Sequence, residues 1–167
     1  MGLLSFFKDA GEKLFGKGTA HAATTAAASD PSPEKIAAAN DAAAKAIEEY
    51  IHAMNLEATG LLVEFDSASS VVTVRGIAAD QATREKIVLC CGNVAGVASV
   101  NDQLTVEVPV DESKYYTVKS GDTLSKVAKE FYGNANAYMK IFEANKPMLS
   151  HPDKIYPGQT LRIPPQA

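Results

Sequence analysis

Apolar and polar residues alternate at Leu61, Val63 and Phe65, with Leu62, Glu64 and Asp66 between them, and after residues 67–70 the alternation resumes at Val72 and Val74. That pattern predicts an antiparallel hairpin. Ahead of it, Ser32 as cap, Pro33 in the first turn and Glu34 behind them open a helix. Its apolar residues Ile47, Tyr50, Ile51 and Met54 fall at helical spacing, so the second half buries more firmly than the alanine-rich first half. Asp80 caps the next predicted helix, whose stripe is Ile87, Cys90, Cys91 and Val94 and whose end is marked by Gly92 and Gly96. A last strand is predicted with Val100, Leu104, Val106 and Val108 inward and Ser99, Asn101, Gln103 and Glu107 outward. The order is helix, strand, strand, helix, strand over residues 33–108.

A second, smaller pattern occupies residues 115–164, after a short charged linker at 109–114. Tyr116, Thr117 and Val118 read as a strand, Gly121 and Asp122 turn, and Asp122 or Thr123 caps a helix that buries Leu124, Val127, Ala128 and Phe131. Gly133 and Asn134 stop it. Tyr138, Ile141, Phe142 and Ala144 form a second helix, and the turn Tyr156, Pro157, Gly158, Gln159 leads to a closing strand at Leu161, Arg162 and Ile163. The fold class expected is α+β, in two small domains. In front of both, residues 1–15 place Leu3, Phe7, Ala10 and Leu14 on one side of an amphipathic helix that Gly11 interrupts, and residues 16–32 form an alanine-rich linker. An apolar leader of this kind is expected to dock on the neighbouring domain.

The motif Ser120, Gly121, Asp122, Thr123, Leu124, paired with Tyr156, Pro157, Gly158, Gln159 and the closing Leu161, Ile163 and Pro164, resembles the LysM domain. The run Val71 to Gly76 with Ala78, Arg84, Lys86, Ile87, Gly96, Val97, Val100, Asp102, Leu104 and Val106 is similar to the BON domain. One BON domain and one C-terminal LysM domain behind a short leader together resemble the small bacterial cytoplasmic potassium-binding protein family. The resemblance implies selective, reversible binding of K+ with a more compact arrangement of the domains in the bound state. The LysM resemblance separately implies recognition of N-acetylglucosamine glycans, in a groove where Gly121, Asp122, Thr123 and Leu124 face Pro152, Asp153, Lys154 and Ile155.

Composition leaves room for these readings and little else. The formal charge of -4 gives no general attraction for nucleic acid. Asp122 with Thr123 and the carboxylates Glu48, Glu49, Glu64 and Asp66 lack the spacing that would bring an activated nucleophile beside an oriented base, and no phosphate-binding glycine loop or metal-binding helix motif is visible, so a noncatalytic binding protein is expected. Cys90 and Cys91 are adjacent and badly placed for an ordinary disulfide, and buried packing is their simplest role, with a zinc or redox pair as the alternative. The leader lacks the apolar run of an export signal, so a cytoplasmic monomer is expected, with a membrane-surface adaptor as the least favoured class.

K+ suits a cage of neutral carbonyl oxygens, and the last carbonyls of a helix lack intrahelical partners. If the leader helix stops at Gly11, the carbonyls of Phe7 and Ala10 become free, with Glu12 just beyond. Gly92, Val94 and Val97 would aim carbonyls into the same space from the loop after the second long helix. The alternative at both ends is ordinary helix capping.

Overall fold

The structure, a computed structural model, describes residues 3–5, 32–94, 97–110 and 112–165. Helix α1 (Pro33–Ala53) opens on Ser32 with proline in its first turn and buries Ala43, Ile47 and Ile51, all in its second half. Strands β2 (Ala58–Asp66) and β3 (Val71–Asp80) form the antiparallel hairpin, with Phe65 opposite Val72 and Val63 opposite Val74. The register slips between Thr59 and Leu62, where Gly76 lies opposite the bulge at φ 144°. A Cβ there would come within 3.2 Å of the Leu61 Cα and the Thr59 carbonyl, so this position requires glycine.

Asp80 accepts the N–H of Thr83 at 2.7 Å and starts helix α2 (Gln81–Gly92), which returns the chain to β4 (Ser99–Val108), parallel to β3. Strand β1 (Leu3–Ser5) adds antiparallel to the far edge of β4, giving the order β1-β4-β3-β2. Both helices pack on one face of this sheet, and the core runs through Ile47, Ile51, Val63, Phe65, Val72, Val74, Ile87, Cys90, Cys91, Val97, Val100 and Leu104.

The second domain pairs β5 (Lys114–Thr117) antiparallel with β6 (Thr160–Ile163). Between them lie α3 (Leu124–Tyr132), a 3-10 turn (Ala135–Ala137) and α4 (Tyr138–Ala144). Of the two capping candidates it is Thr123 that accepts from the Lys126 N–H, and Gly133 ends α3 in the left-handed region at φ 71°. Val118, Leu124, Val127, Ala128, Ile141, Phe142, Leu149, Leu161 and Ile163 make its core.

The structure departs from the expected pattern in three places. Residues 3–5 of the leader are a strand rather than helix, because β4 has an open edge that three backbone units can pair with. The rest of the leader and the linker, 6–31, lie outside the described residues. In β4, Ser99 is buried while Val108 is 61% exposed. A 12-residue helix is about 18 Å long and a 10-residue strand about 33 Å, so β4 outruns its cover. Finally, α2 continues through Gly92 and ends on Asn93 at φ -86°, ψ 7°, so no left-handed glycine terminates it.

Candidate functional site

The loop after α2 is where the first domain, the second domain and the leader meet. Val94 and Val97 are fully buried, and the Val97 N–H bonds the Val94 carbonyl at 3.2 Å. A carbonyl has two lone pairs, so this bond leaves Val94 with accepting capacity. Ala98 then donates to the Ser70 carbonyl at 2.8 Å, anchoring the loop to the β2–β3 turn. Strand β1 reaches the same end of the sheet, with Leu3 opposite Asn101, Leu4 opposite Val100 and Ser5 opposite Ser99. Of the six expected ion ligands, Gly92 ends α2 and Val94 and Val97 follow it in the chain, while Phe7, Ala10 and Glu12 lie outside the described residues.

The second domain contacts this loop directly. Asn93 donates its Nδ2 to the Thr160 carbonyl at 3.0 Å and accepts the Thr160 N–H on Oδ1 at 3.1 Å. Asn145 treats Arg162 in the same way, with both bonds at 2.9 Å. Two side-chain amides therefore satisfy the outer edge of β6 as a neighbouring strand would, one from each domain. Thr160 Oγ1 is buried and has no hydrogen-bond partner among the described residues. Replacing Thr160 with the isosteric valine removes that unpaired hydroxyl, and a gain of about 1 kcal/mol in unfolding free energy is expected by chemical denaturation.

Near the start of α2, Glu85 is 2% exposed and meets Arg162 from β6, with Nε 2.7 Å from Oε2. Each carboxylate oxygen and each guanidinium nitrogen of the pair makes a hydrogen bond. Glu85 Oε1 accepts the Ser113 N–H at 2.8 Å and the Gln81 amide at 2.9 Å, while Arg162 also donates to the Ala144 carbonyl at 3.0 Å and to Ser113 Oγ at 3.1 Å. Burial alone would push the Glu85 carboxyl up, but the Ser113 and Gln81 hydrogen bonds and the Arg162 charge outweigh it and hold the carboxyl below its usual value. Sequence reasoning missed this cluster. An acidic residue within the turns of α2 that face the sheet was the available signal for Glu85, but Arg162 alternates between Leu161 and Ile163 as any outward strand residue would.

The glycan groove is partly assembled. Thr123, Leu124, Pro152 and Asp153 line a cleft of about 390 Å³ together with Ser125, Tyr138 and His151. That volume lies in the range of small-ligand sites. Gly121, Asp122, Lys154 and Ile155 are not part of its lining. Asp122 is turned inward to accept from the Tyr116 hydroxyl at 2.6 Å and the Lys119 N–H at 2.8 Å, and Ile155 packs on the domain core. The cysteine thiols are buried, and burial pushes Cys90 up to about 12 and Cys91 well above its ordinary value, so neither presents a thiolate. No group of three His, Cys, Asp or Glu residues suited to a metal occurs among the described residues.

A mixed sheet with both helices on one face, joined to a strand-helix-helix-strand unit, defines a BON–LysM protein. Family comparison agrees, with the BON domain matching residues 39–108 and the LysM domain residues 116–164. The chain is 46% identical to the potassium binding protein Kbp of Escherichia coli O6:H1 over 164 residues, which cover 98% of this chain and 99% of that one. It belongs to the Kbp family. Two further relatives match shorter stretches: an uncharacterized protein of Deinococcus radiodurans is 55% identical over 49 residues, 29% of this chain and 19% of that protein. The uncharacterized protein YqbP of Bacillus subtilis is 42% identical over 60 residues, 30% of this chain and 27% of that protein. No helix among the described residues is long and apolar enough to cross a membrane.

Proposed function

We propose that this protein binds K+ reversibly in the bacterial cytoplasm, without catalysis, and that the ion draws its two domains into a more compact arrangement. Near full-length similarity to a protein named for potassium binding supports the ligand. The ligands are main-chain oxygens of Phe7, Ala10 and Glu12 from the leader and of Gly92, Val94 and Val97 from the loop after α2. Neutral carbonyls suit a large monovalent cation because they replace its hydration shell without ordering a strong charge around it. The active species is a monomer, with no role for nucleic acid or membrane.

The observation that carries the reading is the register of β1. Because Ser5 lies opposite Ser99 and the pairing is antiparallel, the chain leaves β1 at the end of β4 that adjoins Val97. From Ser5 to Phe7 is a reach of about 7 Å at most, and to Ala10 about 18 Å, so the leader's carbonyls fall within range of the loop.

A second reading, glycan binding by the LysM cleft, is favoured by one observation. The cleft residues are distinct from Thr160, Arg162 and Ser113, which engage the first domain, so the cleft stays open while the domains are docked. Calorimetric titration with KCl, NaCl and chitin oligomers separates the two. Heat with KCl at constant ionic strength and none with NaCl or the oligomers is the expected result. Heat with the oligomers alone would move the function to LysM.

A further inference from the structure

Building on the K+ reading, we propose that Asn93 is the positioning residue that couples ion binding to LysM docking, with helix α2 as the rigid element between the two halves of the contact. Glu85 and Asn93 belong to the same helix and its cap, and both hold β6, the first through Arg162 and the second through the main chain of Thr160. Arg162 fixes where β6 sits along α2. Asn93 does something different, because its neighbours in sequence are Gly92 and Val94, two of the carbonyls assigned to the ion.

The Asn93 amide makes two bonds to one residue's backbone, at 3.0 and 3.1 Å, which leaves it little freedom to rotate or shift. Its own N–H is bonded to the Leu89 carbonyl at 3.0 Å, tying it to the last turn of α2. A reorientation of the peptide groups on either side of Asn93 toward an ion therefore displaces the amide from Thr160 or brings it into register. Holding β6 likewise biases those peptide groups. Coupling of this kind is reciprocal: if the ion favours docking, docking favours the ion by the same factor.

A double-mutant cycle on the full chain tests this, read by KCl calorimetry with small-angle scattering as the measure of domain docking. Arg162→Met weakens docking at a distance from the loop, and the expected loss of K+ affinity is about fivefold or more, the lower end of usual coupling. Asn93→Ala weakens affinity at least as much. The double variant is expected to bind no more weakly than Asn93→Ala alone, because without the link β6 no longer acts on the loop. Since Arg162→Met leaves Glu85 buried and unpaired, the pair Glu85→Gln with Arg162→Met serves as a second docking variant should the single one not fold. The coupling is overturned if a docking variant separates the domains in scattering but titrates like the parent, or if the two losses add in full. A parent protein that gives no heat with KCl sinks the K+ reading and this inference together, whereas a parent that binds alongside unaltered variants sinks the inference alone.

Discussion

Removing residues 1–14, behind a new initiator methionine, is expected to abolish the heat of KCl binding while the circular dichroism and unfolding midpoint of the remaining chain stay near those of the parent. Two arguments separate the effects. Among the described residues the core of the first domain is built from α1, α2 and β2 to β4, with β4 paired along its length with β3. Losing β1 costs three paired residues at an edge and leaves that edge open. The ion site, by contrast, would lose half of its oxygens. A cage that replaces a hydration shell does not bind at half occupancy, because the missing oxygens must be supplied by water and selectivity over Na+ then disappears. An unchanged KCl titration in the truncated protein would remove the leader from the site. A chain that failed to fold would show instead that β1 is structural.

The second large effect is expected at the buried ion pair. Glu85→Ala leaves the Arg162 guanidinium enclosed without its carboxylate, and a loss of about 3–5 kcal/mol is expected in urea denaturation. Replacing both partners with methionine should recover most of that, since the cost lies in the orphaned charge rather than in the missing attraction. Acid provides a reversible version of the same experiment. The folded-state value of Glu85 is lowered relative to its ordinary 4.5, so its contribution is complete above that value and is lost as pH falls through the lower folded one. The domain contact is therefore expected to hold at mildly acidic pH and to loosen only below the ordinary glutamate range, which scattering against pH would follow. Loosening near pH 6 would place the responsible group elsewhere.

Much of the fold could be read in advance because its signals are local. Proline behind Ser32, the Asp80 and Thr123 caps and the left-handed Gly133 each report on a few neighbouring residues, and the alternation at Val63, Phe65, Val72 and Val74 reports on one sheet face. The three misreadings share a cause. Leu3 to Ser5 has the composition of either a helix face or a strand, and only the open edge of β4 decides between them. Ser99 and Val108 differ in burial because of where the helices stop, and Gly92 stays helical because Asn93 beyond it is held by Thr160.

The candidate sites divide the same way. Gly92, Val94 and Val97 could be proposed from glycine positions and from the chemistry of K+, but that β1 pairs with the end of β4 next to Val97 is a property of the sheet order. Half of the expected groove residues line the cleft; Ser125 and His151 join them as sequence neighbours and Tyr138 from the following helix, and Asp122 serves its own turn instead.

What the residues determined unaided was two domains and their element order from residue 33 onward, since periodicity and caps are encoded within short windows of chain. The docking of the domains was decided by the tertiary structure alone. Glu85 and Arg162 are 77 residues apart, as Asn93 and Thr160 are 67 apart, and no local pattern links such partners. Charges and amides of this kind reveal their purpose only when folding removes water from around them and leaves the groups they meet as their partners.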